Sequence, residues 1–367
     1  MGRLGMAVIQ KPTGNSLPLS AVSRRQALVR ISSLAAGVAL PLFPSPQSLN
    51  AAPKESRTPE ERLQKQFGLV RLTGGVWGLP LEVELKEKLA QLQVLRESVV
   101  TAEKELEDRA AANRRAWAEA APAMETLKQA IGKLSPTDPQ RAAITQQLTS
   151  LERNVSEPSR LCCRGEVRAR LIAFSRDRSL LQLALLWIRT HAPRLVEEYA
   201  RLAKINEVAA ALKQLEGEKL GPLKSYIPEV KRLADYDKLV FTDWLPVYQQ
   251  AGQTRFSVLV NDQAPVTFTW SEESHGQLLL PASTLESCGL SLPKSAPQQK
   301  VNFGDRHLLA HEVTVPSLRL GRHVVKSLSA FVLPPEGEDL GARLPRNALT
   351  GLKVSIELER LRLTMGQ

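Results

Sequence analysis

Glu272, Glu273, Ser274 and His275 stand side by side in the chain. Two carboxylates that share one proton can act on a water together, one as base and the other as acid. An imidazole beside them adds a group that titrates near neutrality. His275 with Glu272 and Glu273 would suit an acid/base or metal cluster, although an exposed loop histidine is the plainer expectation. The other isolated acids read as structural. Asp262 follows Asn261 and Asp305 follows Gly304, both at turns, where a short carboxylate caps its own backbone. Asp339 follows the acidic Glu336–Glu338 and is expected in solvent. His307 and His311 are four apart, a spacing that suits zinc on a helix, but the surrounding residues read as a strand. No Ser-His-Asp order, phosphate-binding glycine loop or HExxH helix occurs. Neither metal nor cofactor is expected.

The elements that must position this cluster are β-strands. Phe256–Asp262 and Ala264–Trp270 are β-branched runs separated by a polar turn. His307–Gly321, His323–Pro334 and Leu352–Met365 follow in the same style. Short strands with Asn-Asp, Gly-Asp and Gly-Arg turns predict a small antiparallel sheet or barrel over residues 250–366.

Upstream the period changes. Leu85, Leu89, Leu92, Val99, Leu106, Ala110, Trp117, Ala120, Met124, Leu127, Ile131 and Leu134 fall on three- and four-residue steps. This stripe predicts a long amphipathic helix in a coiled coil or helical hairpin, kinked at Pro122. Ser135–Pro139 stops it, and Ile144, Leu148, Leu151 and Val155 carry the stripe on. A third helix is predicted over Glu166–Thr190, an interruption at Pro193, and a fourth helix over Leu195–Leu215. Gly217–Pro222 reads as a hinge and Leu223–Leu239 as another short helix. Residues 81–240 thus form a helical coiled-coil domain. Residues 53–80 are a linker and a short hairpin around Gly74-Gly75.

The chain has 367 residues and a formal charge of +11. Five of the basic residues (Arg3, Lys11, Arg24, Arg25 and Arg30) lie in residues 1–52, which contain no acid. Residues 254–366 carry 12 basic and 11 acidic side chains, with no basic stripe. No nucleic-acid partner is expected from that distribution. The leading basic residues precede the apolar Ile31–Phe43 and the small-residue exit Asn50-Ala51-Ala52. Residues 1–52 therefore read as a signal peptide of twin-arginine-like type. Export to the periplasm or cell envelope of a bacterium is expected, with no stable membrane span after cleavage. The three cysteines, Cys162, Cys163 and Cys288, make no disulfide scaffold. Adjacent cysteines rarely bridge each other, because the eight-membered ring strains the intervening peptide bond.

Three stretches together carry a family resemblance: FTWSEESHGQLLLPASTLESCGL (Phe268–Leu290), VTVPSLRLGRHVVKSLSAFVLPP (Val313–Pro335) and ARLPRNALTGLKVSIE (Ala342–Glu357). The first keeps a Leu280-Pro281 step, a helix-like ASTLESCGL and a closing Gly289-Leu290. The second keeps a Leu-x-Leu-Gly turn and a Val-Leu-Pro-Pro ending. Their frame resembles the retropepsin-like aspartic proteases, of the bacterial secreted type with an N-terminal helical region. The resemblance implies an α+β multidomain chain in which an elongated helical bundle precedes a small closed β-barrel. It implies a homodimeric site to which each subunit gives one Asp from an Asp-Thr-Gly turn. It also implies a flap hairpin at Gly304-Asp305 and a peptide cleft beneath it.

This chain departs from the family at the turn itself. Glu272, Glu273 and Ser274 occupy the Asp, Thr and Gly positions, and Leu344-Pro345 replaces an apolar residue and Gly. Glu272 keeps the carboxylate but displaces it, in a site where about 1 Å can cost 10²-fold. Four glutamates meeting at a dimer axis would repel, and Ser274 brings a Cβ where glycine's freedom is wanted. The expectation is a degenerate site, with Glu272 at the catalytic position. Glu273, Ser274, His275, Asp305, Leu344 and Pro345 are the candidate binding residues. Such a protein would bind a peptide or protein ligand, with homodimerisation through the β-domain. An active endopeptidase using Glu272, or a coiled-coil envelope protein, are the alternatives.

Overall fold

The computed structural model describes residues 58–223, 230–272, 277–292, 297–303 and 306–366. The expected signal peptide lies outside them. The chain is α+β, with a long helical region before a large sheet. No helix among the described residues is long and apolar enough to cross a membrane.

A short hairpin, β1 (Val70–Leu72) and β2 (Val76–Gly78), turns at Gly74-Gly75 as the sequence predicts. Both glycines have φ near +70° (74° and 69°), which L-residues with a side chain resist. The first long helix, α1 (Pro80–Lys133), opens with Pro80, whose missing N–H costs nothing in the first turn. Its 54 residues correspond to about 80 Å of helix. The Asp138 side chain accepts the Gln140 N–H at 2.8 Å and caps α2 (Pro139–Asn154). Then come α3 (Gly165–Leu202), α4 (Asn206–Gln214) and α5 (Leu233–Val240).

Two expectations for the helices fail. The chain does not break at Pro193, which lies inside α3. Proline costs about 3 kcal/mol in a helix interior. Beyond it, however, Leu195, Tyr199 and Leu202 are buried, and each such side chain contributes about 1.5–3 kcal/mol. The break falls instead at Ala203–Ile205. The apolar stripe is also uneven. From Leu85 to Ala110 it is core, packed with Leu171, Phe174, Leu181, Leu185 and Ile188 of α3. Beyond Ala110 only Met124 of α1 is buried, and α2 buries none of its residues. There α1 and α2 pack chiefly against each other, and Trp117, Leu127, Ile144 and Leu148 stay half-exposed.

The sheet runs β5 (Tyr248–Gln250), β6 (Gln253–Val260), β7 (Ala264–Ser271), β12 (Ala342–Pro345), β8 (Leu278–Pro281), β11 (His323–Leu333), β10 (Arg306–Leu320) and β9 (Gln298–Phe303). A further pairing of β10 with β6, Leu318 to Val260 and Arg319 to Leu259, links the two ends of the central six strands. Phe256, Val258, Phe268, Leu278, Leu280, Val315, Val332 and Leu344 alternate inward and form one core. The remaining strands, β4 (Trp244–Pro246), β13 (Lys353–Glu357) and β14 (Arg362–Gly366), make a separate sheet with β14 in the middle.

A buried polar joint fastens α3 to the β-strands. Arg178 is 3% exposed. Its guanidinium donates to the carbonyls of Leu239 (3.0 Å), Trp244 (3.0 Å) and Val240 (3.3 Å) and to the Thr242 hydroxyl. Burial pushes the Arg178 pKa down to about 10, yet the cation persists because every edge of the fork is satisfied. The Trp244 ring centroid lies 4.4 and 3.9 Å from the guanidinium carbons of Arg178 and Arg362. Ser179 meets the Ser257 hydroxyl at 3.0 Å, and Gln182 donates to the Gly321 carbonyl at 2.7 Å.

Candidate functional site

Strand β7 delivers Glu272 one residue past its end. Alternation along β7 turns Phe268 and Trp270 into the core, and Trp270 is anchored against Phe256 at a ring separation of 6.1 Å. Glu272 stands two residues further on. The Trp270 indole Nε1 donates to Glu272 Oε1 at 2.6 Å. The other oxygen, Oε2, lies 3.5 Å from Arg346 Nη1. Both carboxylate oxygens are therefore engaged by groups of the same chain.

Strand β12 explains the arginine. It lies between β7 and β8, parallel to β7 and antiparallel to β8. Its register sets Leu344 against Trp270 and Pro345 against Ser271. Residues 272 and 345 are thus neighbours at the ends of adjacent strands. Leu344 and Pro345 are buried, and the chain turns after Pro345 into a 3₁₀ turn at Arg346–Leu349. That turn carries the Arg346 side chain to Glu272. Proline also removes one N–H from the end of β12, so no backbone donor at residue 345 can serve a carboxylate.

The pair itself is open to solvent, with the Glu272 and Arg346 side chains 65% and 62% exposed. An exposed ion pair contributes about 0–1 kcal/mol, so Arg346 orients Glu272 more than it stabilises the fold. The 2.6 Å indole contact comes from a buried, rigid side chain and is the firmer of the two. What results is a solvated, clamped carboxylate.

Glu273, Ser274, His275 and Asp305 lie outside the described residues. Asp262 is a turn former, as expected. It and Asn261 have φ of 51° and 53°, and its carboxylate takes a two-point bond from Arg319 at 2.7 and 2.8 Å. Asp339 is bound at 2.9 and 2.7 Å by Arg306, beside the β9–β10 turn. His307 and His311 lie on β10, as the β-pattern predicts, and His311 meets the Gln298 amide at 3.1 Å. After Pro281 the helix-like segment opens as a 3₁₀ turn, Ala282–Thr284, and continues in hydrogen-bonded turns to Gly289 without forming a regular helix. Thr284 donates its hydroxyl to the Pro281 carbonyl (2.7 Å), and the Thr284 carbonyl takes both the Ser287 hydroxyl (2.8 Å) and the Cys288 N–H (3.1 Å). Cys288 is fully buried, and burial raises its thiol pKa.

Two residues that matter to Glu272 escape sequence reasoning. Trp270 was legible in principle, since residues two apart on a strand share a face. Arg346 was not, because its place follows from a β7–β12 pairing across more than seventy residues of chain.

No family model matches the chain, and no curated protein matches it. Among solved structures, one similar chain is a retropepsin-like aspartic protease from Rickettsia conorii, described by a crystal structure. The likeness covers 33% of this chain and 86% of that one, at 14% identity and a TM-score of 0.27. A likeness at this level concerns the fold at most.

Proposed function

We propose that residues 250–366 form a closed β-barrel of retropepsin-like type that has lost catalysis and binds a peptide or protein segment. The protein is exported to the bacterial periplasm or envelope, and its helical region is an elongated hairpin that presents the barrel. The observation that carries the loss of catalysis is the double engagement of Glu272 by Trp270 and Arg346. The indole bond at 2.6 Å and the Arg346 guanidinium at 3.5 Å turn the Glu272 carboxylate toward side chains of its own chain, while each oxygen keeps a lone pair for other donors. Pro345 opposite Ser271 supports the same reading. The pairing of β10 with β6 supports barrel closure.

The test is incubation of the purified chain with casein or a peptide library between pH 3 and 7. No cleavage above background is expected, and Glu272→Gln should leave peptide binding within about twofold. Cleavage that disappears in Glu272→Gln but persists in Glu273→Gln would establish an active peptidase and defeat this reading. Deletion within the helices that abolishes function, with substitutions around residue 272 silent, would favour a helical envelope protein instead.

The homodimer belongs to the same proposal, and strand β13 supports it. Its neighbour is β14 on one side, and no described strand covers the other. An uncovered edge offers unpaired N–H and C=O groups. The β13 sequence, Lys353-Val-Ser-Ile-Glu357, is self-complementary. Antiparallel pairing with a second copy about Ser355 sets Lys353 against Glu357 and Val354 against Ile356, pairs worth about 0.2–1 kcal/mol each. Glu357 already meets Thr364 (3.0 Å) and Arg360 (3.3 Å) and is only one-third exposed, so it is held in place. Sedimentation at micromolar concentration should give a dimer. Lys353→Glu and Glu357→Lys should each give a monomer, and the two changes together should restore the dimer. A monomeric wild type, or a double variant that stays monomeric, refutes the pairing without touching the reading of Glu272.

A further inference from the structure

Cys162 and Cys163 occupy the end of a 3₁₀ turn, Pro158–Cys163, that packs against α1, α3 and the edge strand β5. The adjacent thiols are unlike. Cys162 is fully buried and donates to the Ser159 carbonyl at 3.5 Å. Cys163 is exposed, and its thiol donates to the Gln249 side-chain oxygen on β5 at 2.9 Å. Neither is part of the site around Glu272.

We infer that this pair is a thiol-modification site, at which Cys163 forms a lasting mixed disulfide with a low-molecular-weight disulfide and Cys162 does not resolve it. In the reaction the Cys163 thiolate attacks one sulfur of the reagent. The reagent's S–S bond breaks, the Cys163–S–S–R bond forms, and the other half leaves as a thiolate that takes up a proton. Cys163 is oxidised and the departing half is reduced, so electrons balance.

A neighbouring cysteine ordinarily completes such a reaction by attacking the adduct, and two features prevent it here. Across a trans peptide the Cα atoms stand about 3.8 Å apart, short of the roughly 4.4–6.8 Å that a disulfide spans. In addition, Cys162 is fully buried, and burial, the largest cause that raises its thiol pKa, persists when Cys163 is modified and keeps its thiolate scarce at neutral pH. The adduct's consequence is local. It removes the thiol proton that Gln249 accepts and places a bulky group between the 3₁₀ turn and β5, at the edge of the eight-stranded sheet.

The test uses the full chain, folded, with oxidised glutathione as probe, followed by intact-mass analysis and peptide mapping. One glutathione per chain is expected, on Cys163, persisting after the reagent is removed. The adduct should survive in Cys162→Ser and vanish in Cys163→Ser. Hydrogen exchange at Tyr248–Gln250 should quicken several-fold on modification, and Gln249→Ala should reproduce part of that increase without reagent. No adduct, an adduct on Cys162 or Cys288, or a loss of two hydrogens that reports a Cys162–Cys163 disulfide would each overturn the assignment. Unchanged exchange in the modified protein would overturn the coupling to β5.

Discussion

A carboxylate's chemistry is set by what its two oxygens touch, and at Glu272 both touch the protein's own side chains. Replacing Trp270 by Phe keeps the aromatic packing against Phe256 but removes the donor. The expected cost is about 1–2 kcal/mol, because the lost hydrogen bond ends on a charged acceptor, and denaturant titration reads it. Cys162 gives a prediction with a sign. Its folded-state pKa, about 12, lies above the ordinary thiol value of 9.0, with burial the largest cause. A folded state that keeps the proton while the unfolded chain loses it is fully favoured below pH 9 and loses that advantage as pH rises from 9 toward 12. The stability margin of wild type over Cys162→Ala should therefore shrink by about 1.4 kcal/mol per pH unit across that window. A margin independent of pH between 9 and 11 would contradict the burial of this thiol.

At the scale of elements, α3 and the turn after β10 carry opposite lessons. Helix α3 tolerates Pro193 because the apolar residues on either side bury into one continuous core. Pro193→Ala should restore a backbone hydrogen bond and raise stability by about 1–3 kcal/mol, measured by thermal or urea unfolding. Gly321 tolerates nothing. Its φ is +58°, and a Cβ there would overlap the Thr242 carbonyl oxygen. Its own carbonyl also receives the Gln182 side chain. Gly321→Ala should cost several kcal/mol, on the order of 3, through strain and a displaced loop. A neutral Gly321→Ala would mean that the turn is not packed against the Thr242 carbonyl.

For the molecule as a whole, the joint at Arg178 couples helices to strands. One guanidinium satisfies carbonyls at residues 239, 240 and 244, and it stacks on a tryptophan shared with Arg362. Glu103 of α1 faces Arg362 at 3.7 Å; burial, and next the nearby Glu107, raise its carboxyl pKa. Truncating a buried, bonded charge typically costs about 3–5 kcal/mol. Arg178→Ala should therefore lower stability by that order and split one calorimetric unfolding transition into two. A single transition in the variant, at an unchanged temperature, would show that helices and strands are joined elsewhere.

Sequence alone determined the elements, because periodicity is a local property. The 3–4 stripe placed α1 within a residue of its start, the Asn-Asp turn placed the β6–β7 connection, and Gly74-Gly75 placed the first hairpin. It also exposed the Glu272-Glu273-Ser274 run, since a residue type is visible without a fold. Tertiary structure alone decided what Glu272 touches. Arg346 reaches Glu272 only because β12 inserts between β7 and β8, and no local pattern encodes a parallel pairing between distant segments. The continuity of α3 through Pro193, the half-bared stripe beyond Ala110 and the burial of Arg178 were decided the same way. Each depends on how many neighbours a segment acquires, and that number belongs to the packed molecule rather than to the segment.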